Sequence, residues 1–433
     1  MVVSLNVPGD HPKRSGGPLR GDFTEVGFSS SAELKRIFRA EAACDTARSV
    51  RDAFLLDPSV TFLNHGSFGA CPRPVLDALW GWQREVEKNP VEFLARRSAG
   101  LLRDARASLG AFVGAPSDEL AFVSNTTTAV NAVARSLALS PGDEVLATDH
   151  EYGACDAAWR RACAECGAHY RKVAIPLPFD RTTFVERVLS AVTPRTKLVF
   201  LSHITSTTAL TFPVAELCGR ARERGILSFV DGAHAPGHVP LDIRSVGADF
   251  YAGNAHKWMC APKGSAFLHA RSQHHENLTS PIVSWGDVAQ ATFQHAGMDA
   301  YTGTTLLERR FQWQGTRDLA PFLTVPAAIR FLEQHQWQSL GGRCHALARE
   351  AATELSRRFG IEPIAAQDDF AQMVAIPVPH SDAEGLRRRL FEESAIEIPV
   401  TSHAEQSFVR LSVYGYNDAR DIARLLEAPA LLV

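Results

Sequence analysis

The chain has 433 residues, 45% hydrophobic and 21% charged, which excludes a disordered polymer and leaves room for a large domain and a smaller one. A formal net charge of −3, without a basic stripe of interleaved aromatics, argues against nucleic-acid binding. The opening MVVSLNVPGDHPKRSGG lacks the apolar core of a secretory signal, no uncharged run reaches membrane-span length, and eight scattered cysteines make no disulfide scaffold, so a soluble cytoplasmic protein is expected.

Residues 1–50 begin with Pro, Gly, Ser and charge and turn amphipathic through SSAELKRIFRAEAA, which reads as an arm followed by a helix. From 51 to 320, short β-branched runs alternate with helical stretches. Strands are expected at 119–124, 144–148, 170–175, 197–203, 226–231, 248–253 and 264–270. Helices fit at 126–139, 151–167, 181–192 and 213–224. This alternation predicts an α/β class, a largely parallel sheet with helices on both faces and ligands at the carboxyl ends of the strands. Cys163 and Cys166 form a CxxC, but at helical spacing and without a second pair to complete a zinc site, so they read as two thiols on a helix. After GTRDLAP (315–321) the texture changes. Helices at 323–335 and 343–358, the run FAQMVAIPV, a helix at 382–393, the alternating FVRLSV (408–413) and a last helix form a smaller α+β domain over 321–433.

Chemistry concentrates at the strand ends. In HKWMCAPKG (256–264), Lys257 sits in a turn among small and apolar residues, where desolvation lowers an amine's pKa and favours a Schiff base. Upstream, FVDGAHAPG (229–237) ends a strand with Asp231, and one strand separates it from the lysine. Either residue alone is ordinary, a surface charge or a turn former. Together they are the pair that pyridoxal phosphate needs: an amine for the aldehyde and a carboxylate for the pyridine nitrogen. His234 can then donate to the ring oxygen. In VSNTTTAVNAVARSL (123–137), polar residues open a helix after a strand, a phosphate cradle to which Thr126 and Thr127 add hydroxyls. DHEYGA (149–154) follows the next strand and places Tyr152 to stack on a flat cofactor. His274, His275 and Glu276 lie in a polar stretch and read as solvated rather than as a metal site, so no metal is expected.

The stretches FLNHGSFGACPRPV, SNTTTAVN, DHEYGA, SHITSTTAL, VDGAHAPG, GNAHKWMCAPKG and VRLSVYGYN, spread over residues 54–428, resemble the class V aminotransferase family of fold-type-I pyridoxal-phosphate enzymes, particularly its isopenicillin-N-epimerase-like branch. The resemblance implies a three-layer αβα sheet of mostly parallel strands with a smaller C-terminal domain. It implies Lys257 as the Schiff-base lysine, Asp231 on the pyridine nitrogen, His234 beside the ring oxygen, and Tyr152 on the ring face. Thr126, Thr127 and His256 match phosphate ligands. Thr316 matches a phosphate ligand lent by a neighbouring subunit, which implies a homodimer with shared active sites. Arg410 matches the clamp for a substrate carboxylate, with Asn64 and His65 lining the same pocket and Trp285 contributing to a wall. Desulfurases of the class carry a nucleophilic cysteine just before the arginine strand, and IEIPVTSHAEQSF (396–408) has none, which speaks against persulfide chemistry. Cys260 and Cys344 read as packing.

The resemblance favours an epimerase-like enzyme of specialised, antibiotic-type metabolism acting at the α-carbon of an amino acid. The alternatives are a C–S β-lyase or a decarboxylating or oxidative deaminase, and, from another class, a catalytically silent scaffold. His65, His203 and Tyr414 are the candidates for a proton donor on the face opposite Lys257.

Overall fold

The computed structural model describes residues 50–288 and 298–432. The arm and helix expected before residue 50 lie outside the described residues. The chain enters through a short strand β1 (Thr61–Phe62), a single turn α1 (His65–Phe68), and two amphipathic helices, α2 (Arg73–Lys88) and α3 (Ser98–Val113). Gly114, in the left-handed conformation, closes α3.

The main sheet then builds up in alternation. Strand β2 (Leu120–Val123) leads to α4 (Thr126–Ser136), β3 (Glu144–Thr148) to α5 (Gly153–Cys166), and β4 (His169–Val173) to α6 (Arg181–Ser190). Strand β5 (Thr196–Ser202) leads to α7 (Val214–Glu223), followed by β6 (Leu227–Asp231), β7 (Phe250–Asn254) and β8 (Ala266–Ala270). The seven strands lie in the order β2-β8-β7-β6-β5-β3-β4. All neighbours are parallel except β8, which runs antiparallel to β2 and β7. Strands β3, β7 and β8 are buried along their whole length, as strands covered on both faces must be. Strand β4, reading HYRKV, is only partly buried, and its charges blunt the sheet edge.

Beyond the sheet come α8 (Leu306–Gln312), α9 (Val325–Gln334) and α10 (Trp337–Phe359). A second, three-stranded antiparallel sheet follows, in the order β11 (Val400–His403), β12 (Gln406–Ser412), β9 (Met373–Val378). It carries α11 (Ala383–Ser394) and α12 (Ala419–Leu426), and β10 (Ile396–Glu397) pairs in parallel with β1. This is the expected αβα architecture with a smaller α+β unit.

Two expected helix boundaries move. The helix expected at 126–139 stops at Ser136, because Leu137 turns extended. The helix expected from 343 begins at Trp337, and Gly341 and Gly342 are absorbed into its 23 residues rather than breaking it. Gln336, with φ 46°, makes the sharp corner before it. Cys163 and Cys166 do lie on α5, which Gly167 terminates.

Candidate active site

Asp231 ends β6 and is 4% exposed. One carboxylate oxygen accepts the Ala233 N–H at 2.9 Å, and the other accepts the Cys155 thiol of α5 at 3.4 Å. Burial pushes its pKa up, against the pull of the Ala233 bond and the Lys257 charge. Lys257 lies in the turn after β7, with its Nζ 3.1 Å from His234 Nε2. Burial, with Arg410 as a second cause, lowers the lysine to about 8. The Trp258 Nε1–H reaches His234 Nδ1 at 3.4 Å, and an indole can only donate. His234 therefore carries its proton on Nε2, facing the lysine. Burial and the lysine charge hold it neutral.

Glycine at position 69 permits this packing. A Cβ there would stand 2.2 Å from the His256 carbonyl oxygen and 2.7 Å from that of Lys257, and its φ is +68°. Below the turn, His65 accounts for both of its ring nitrogens, Nε2 on the Lys257 carbonyl at 3.1 Å and Nδ1 on the Tyr416 hydroxyl at 2.9 Å. Its ring stacks on Tyr414 at 3.8 Å, and the Tyr414 hydroxyl accepts the Cys260 thiol. His203 bonds to the Tyr251 hydroxyl at 2.9 Å. Of the three candidates for an opposite-face proton donor, His65 thus has both nitrogens engaged, whereas among the described residues His203 is bonded through Nδ1 alone and Tyr414 only accepts.

The expected phosphate cradle is the first turn of α4. Asn125 caps it by accepting the Thr128 N–H, and the Thr126 N–H and hydroxyl both meet Asn254 Oδ1, at 3.0 and 3.1 Å. Asn254 ends β7, so this contact ties the helix mouth to the strand that delivers Lys257. Thr127 lies beside Thr126 in the same turn, half-buried. His256 is oriented by the Ser265 carbonyl at 3.0 Å and is kept neutral, near about 4, by burial. Tyr152 starts α5 with 49% of its surface exposed, a ring available for stacking. Thr316 is exposed in the bend after α8, where it meets none of the other site residues.

Arg410, in the middle of β12, is 4% exposed, and burial lowers its pKa to about 10. Its two terminal nitrogens donate to the Ser206 carbonyl at 2.6 Å and to the Ser67 hydroxyl at 2.8 Å, while its buried Nε has no partner. Ser67 in turn donates to Asn64, which reaches Glu397. Among the described residues no carboxylate pairs with this guanidinium, and its hydrogen-bonding capacity to spare is the chemistry that suits an incoming anion. Trp285, 48% exposed, opens a one-turn helix, away from these contacts.

One expectation needs correction, and some residues were missed. His274 and His275 are half-buried and hydrogen-bonded rather than simply solvated. The first meets Asp249 at 3.1 Å and the second the Ala270 carbonyl at 2.8 Å, so they lock the end of β8. Asn254, Cys155, Ser206 and Trp258 belong to the site without having been singled out. Asp149, His150 and His403 also meet. However, His150 spends both nitrogens on Thr208 and the Ile175 carbonyl, and its ring stacks on His403 at 4.0 Å, which aims the lone pairs side by side rather than at one ion. Residues 396–408 hold no cysteine, and Cys260 and Cys344 are buried.

These donors fit pyridoxal phosphate: an amine of lowered pKa, a buried carboxylate beyond it, an imidazole N–H between them and a helix N-terminus alongside. The family profile described as Aminotransferase class-V matches residues 68–425. An isopenicillin N epimerase from Amycolatopsis lactamdurans is 37% identical over 387 residues, covering 88% of this chain and 97% of that protein. A putative L-cysteine desulfhydrase from Oryza sativa subsp. japonica is 30% identical over 422 residues, 87% of this chain and 84% of its own. Among solved structures, a C-DES mutant with glycine covalently linked to its PLP cofactor superposes with a TM-score of 0.74 at 22% identity, over 88% of this chain and 98% of that one. An apo cysteine desulfurase from Thermococcus onnurineus gives 0.72 at 20% identity, over 87% and 96%.

Proposed function

Because the chain belongs to the class V aminotransferase family and is a pyridoxal-phosphate-dependent enzyme, we propose that it acts on an amino acid at the α-carbon and inverts that centre, as an epimerase. The observation that carries this reading is the buried Lys257, 3.1 Å from His234 and lowered to about 8 by burial and by the charge of the buried Arg410. Pyridoxal phosphate, when bound, supplies an aldehyde that ties to an amine and a ring that draws electrons from the substrate α-carbon.

The chain's own residues do the rest. Thr126, Thr127, His256 and the first turn of α4 hold the phosphate, Asp231 the ring nitrogen and His234 the ring oxygen, and Tyr152 covers the ring face. Arg410 holds the substrate carboxylate through two parallel bonds and so fixes the rotation of the α-carbon. Lys257, a base near neutrality, takes the α-proton on one face. Inversion then needs a proton on the opposite face, for which His203, bonded through Nδ1, and Tyr414, whose hydroxyl accepts the Cys260 thiol, are the remaining candidates. Thr316, exposed after α8, is the residue lent to the phosphate of a second copy, which makes the working unit a homodimer.

A second reading, C–S β-elimination, is favoured by one observation. With no cysteine in 396–408 and Cys260 and Cys344 buried, sulfur leaving a substrate has no protein thiol there to receive it and is released. The test is product analysis in deuterated water with L-amino acids and S-substituted cysteines. Deuterium at an inverted α-carbon with the side chain intact supports epimerisation, and a 2-keto acid with free thiol supports the lyase. Carbon dioxide release without α-exchange refutes both, and Lys257→Ala should abolish whichever activity is seen.

A further inference from the structure

A second buried acid stands beside Asp231. Glu151, 6% exposed, lies in the loop between β3 and α5. One of its oxygens meets the Thr148 hydroxyl at the end of β3 and the other the Ser202 hydroxyl at the end of β5, both at 2.6 Å. The next strand in the sheet is β6, and Ser202 is the registered neighbour of Asp231. Four residues after Glu151, Cys155 donates its thiol to Asp231. Glu151 therefore braces the strand ends on one side of Asp231, and the helix it precedes touches that carboxylate directly.

No cation among the described residues forms an ion pair with Glu151. The titratable groups acting on it are Asp231 from β6, Asp156 and Cys155 from α5, and Tyr170 from β4, all acids; the nearby cations engage those acids instead, Lys172 of β4 and Arg160 of α5 pairing with Asp156 and Lys257 acting on Asp231. A buried carboxylate among acids, served by two neutral hydroxyls, is costly to ionise. The hydrogen-bond pattern accommodates a proton. Both hydroxyls are placed to donate to Glu151, the Thr148 oxygen also accepting the His150 N–H, and rotation of the Ser202 hydroxyl would let its oxygen accept a proton carried by the acid instead.

We propose that Glu151 is a neutral carboxylic acid in the working enzyme and acts as a positioning residue, leaving Asp231 as the sole negative charge beneath the cofactor ring, and that its ionisation in mild alkali tightens the hold of that charge on the cofactor's protons. Burial pushes the Glu151 carboxyl to about 8, with Asp231 and Asp156 adding to the rise, in keeping with this arrangement. The inference rests on Asp231 being the partner of the ring nitrogen.

The test follows the long-wavelength absorption of the bound cofactor through a pH titration of wild type and Glu151→Gln, both as holoenzyme. At neutral pH the spectra and cofactor affinities should agree within about threefold, because glutamine mimics the neutral acid. Above about pH 8, wild type gains a charge that the variant lacks. It should keep the protonated band to a pH higher by on the order of half a unit, since a nearby opposite charge favours the protonated form. Superimposable titrations overturn the proposal and leave Glu151 as structural. A difference already present near about pH 6, far below the raised carboxyl, overturns it too, because Glu151 is then ionised at rest. Should the variant not accumulate, infrared difference spectra of wild type between about pH 6 and about pH 10 decide: loss of a protonated-carboxyl C=O signal supports the proposal and a flat spectrum defeats it. A wild type with no cofactor band overturns the reading of the site itself, which separates that failure from this one.

Discussion

Replacing Lys257 with methionine should make the cofactor-free protein more stable near neutral pH while abolishing its chemistry. The lysine drops from its ordinary 10.5 to about 8, first through burial and then through Arg410. At 1.36 kcal/mol per unit, that shift costs the folded protein on the order of 3 kcal/mol. Losing the 3.1 Å bond to His234 takes back about 1 kcal/mol. Methionine fills much of the same space, so a net gain of about 1–2 kcal/mol is expected. Below pH 8 both folded and unfolded states carry the ammonium, and wild type bears the whole penalty. Between about 8 and 10.5 the unfolded chain binds the extra proton, so wild-type stability climbs with pH and the penalty vanishes above 10.5. Lys257→Met has no such limb, and the two curves should converge as pH rises. Urea unfolding of both apoproteins near about pH 7 and about pH 9.5 reads this directly. A methionine variant less stable at neutral pH, or a gap that ignores pH, refutes the picture of a lysine whose buried ammonium costs the folded protein stability.

Arg410→Lys should keep the cofactor spectrum and raise KM by about tenfold or more, because an ammonium cannot reproduce the bidentate hold on a carboxylate; an unchanged KM places the clamp elsewhere. Gly69→Ala should destabilise the protein by several kcal/mol and lower cofactor affinity, since its Cβ meets two carbonyl oxygens of the lysine turn at 2.2 and 2.7 Å; thermal melts and cofactor titration check it. Trp258→Phe removes the donor that pins the His234 tautomer and should shift the visible spectrum and its pH midpoint more than it changes the melting temperature; the reverse pattern makes Trp258 a packing residue only.

Much of the site was legible because strand ends obey a strict logic. Asp231 ends β6 and Lys257 follows the end of β7, its parallel neighbour, so chain order alone brings them to one edge. Arg410 was legible as a strand residue whose exposure the pattern FVRLSV did not assure, and only the fold shows β12 buried on both faces there. Glu151 was not, because an acid in DHEYGA looks like any turn former until Ser202 and Thr148 are seen around it. His65 was read as facing the pocket, and only the fold reveals it holding the Lys257 carbonyl from below. Strands β1 and β10 could not be foreseen, since two residues carry no periodicity. The start of α10 was misjudged because paired glycines weaken a helix without ending it where packing holds them.

The charges of the site settle into one pattern. His65, His203, His234, His238 and His256 all have lowered pKa values, chiefly by burial, so the imidazoles stay neutral. Charge is left to Lys257, Arg410 and Asp231. Since Trp258 fixes the His234 proton on Nε2, that N–H points at Lys257 and cannot accept from its ammonium, in keeping with the lowered pKa. The guanidinium that helps lower the lysine's proton affinity is also the group with hydrogen-bonding capacity to spare. An anion arriving at Arg410 cancels the repulsion between the two and raises the lysine's affinity for a proton. Carboxylate binding and base strength are therefore linked: the resting lysine releases its proton at about 8 rather than 10.5, and the same amine becomes a stronger base once a substrate carboxylate is in place.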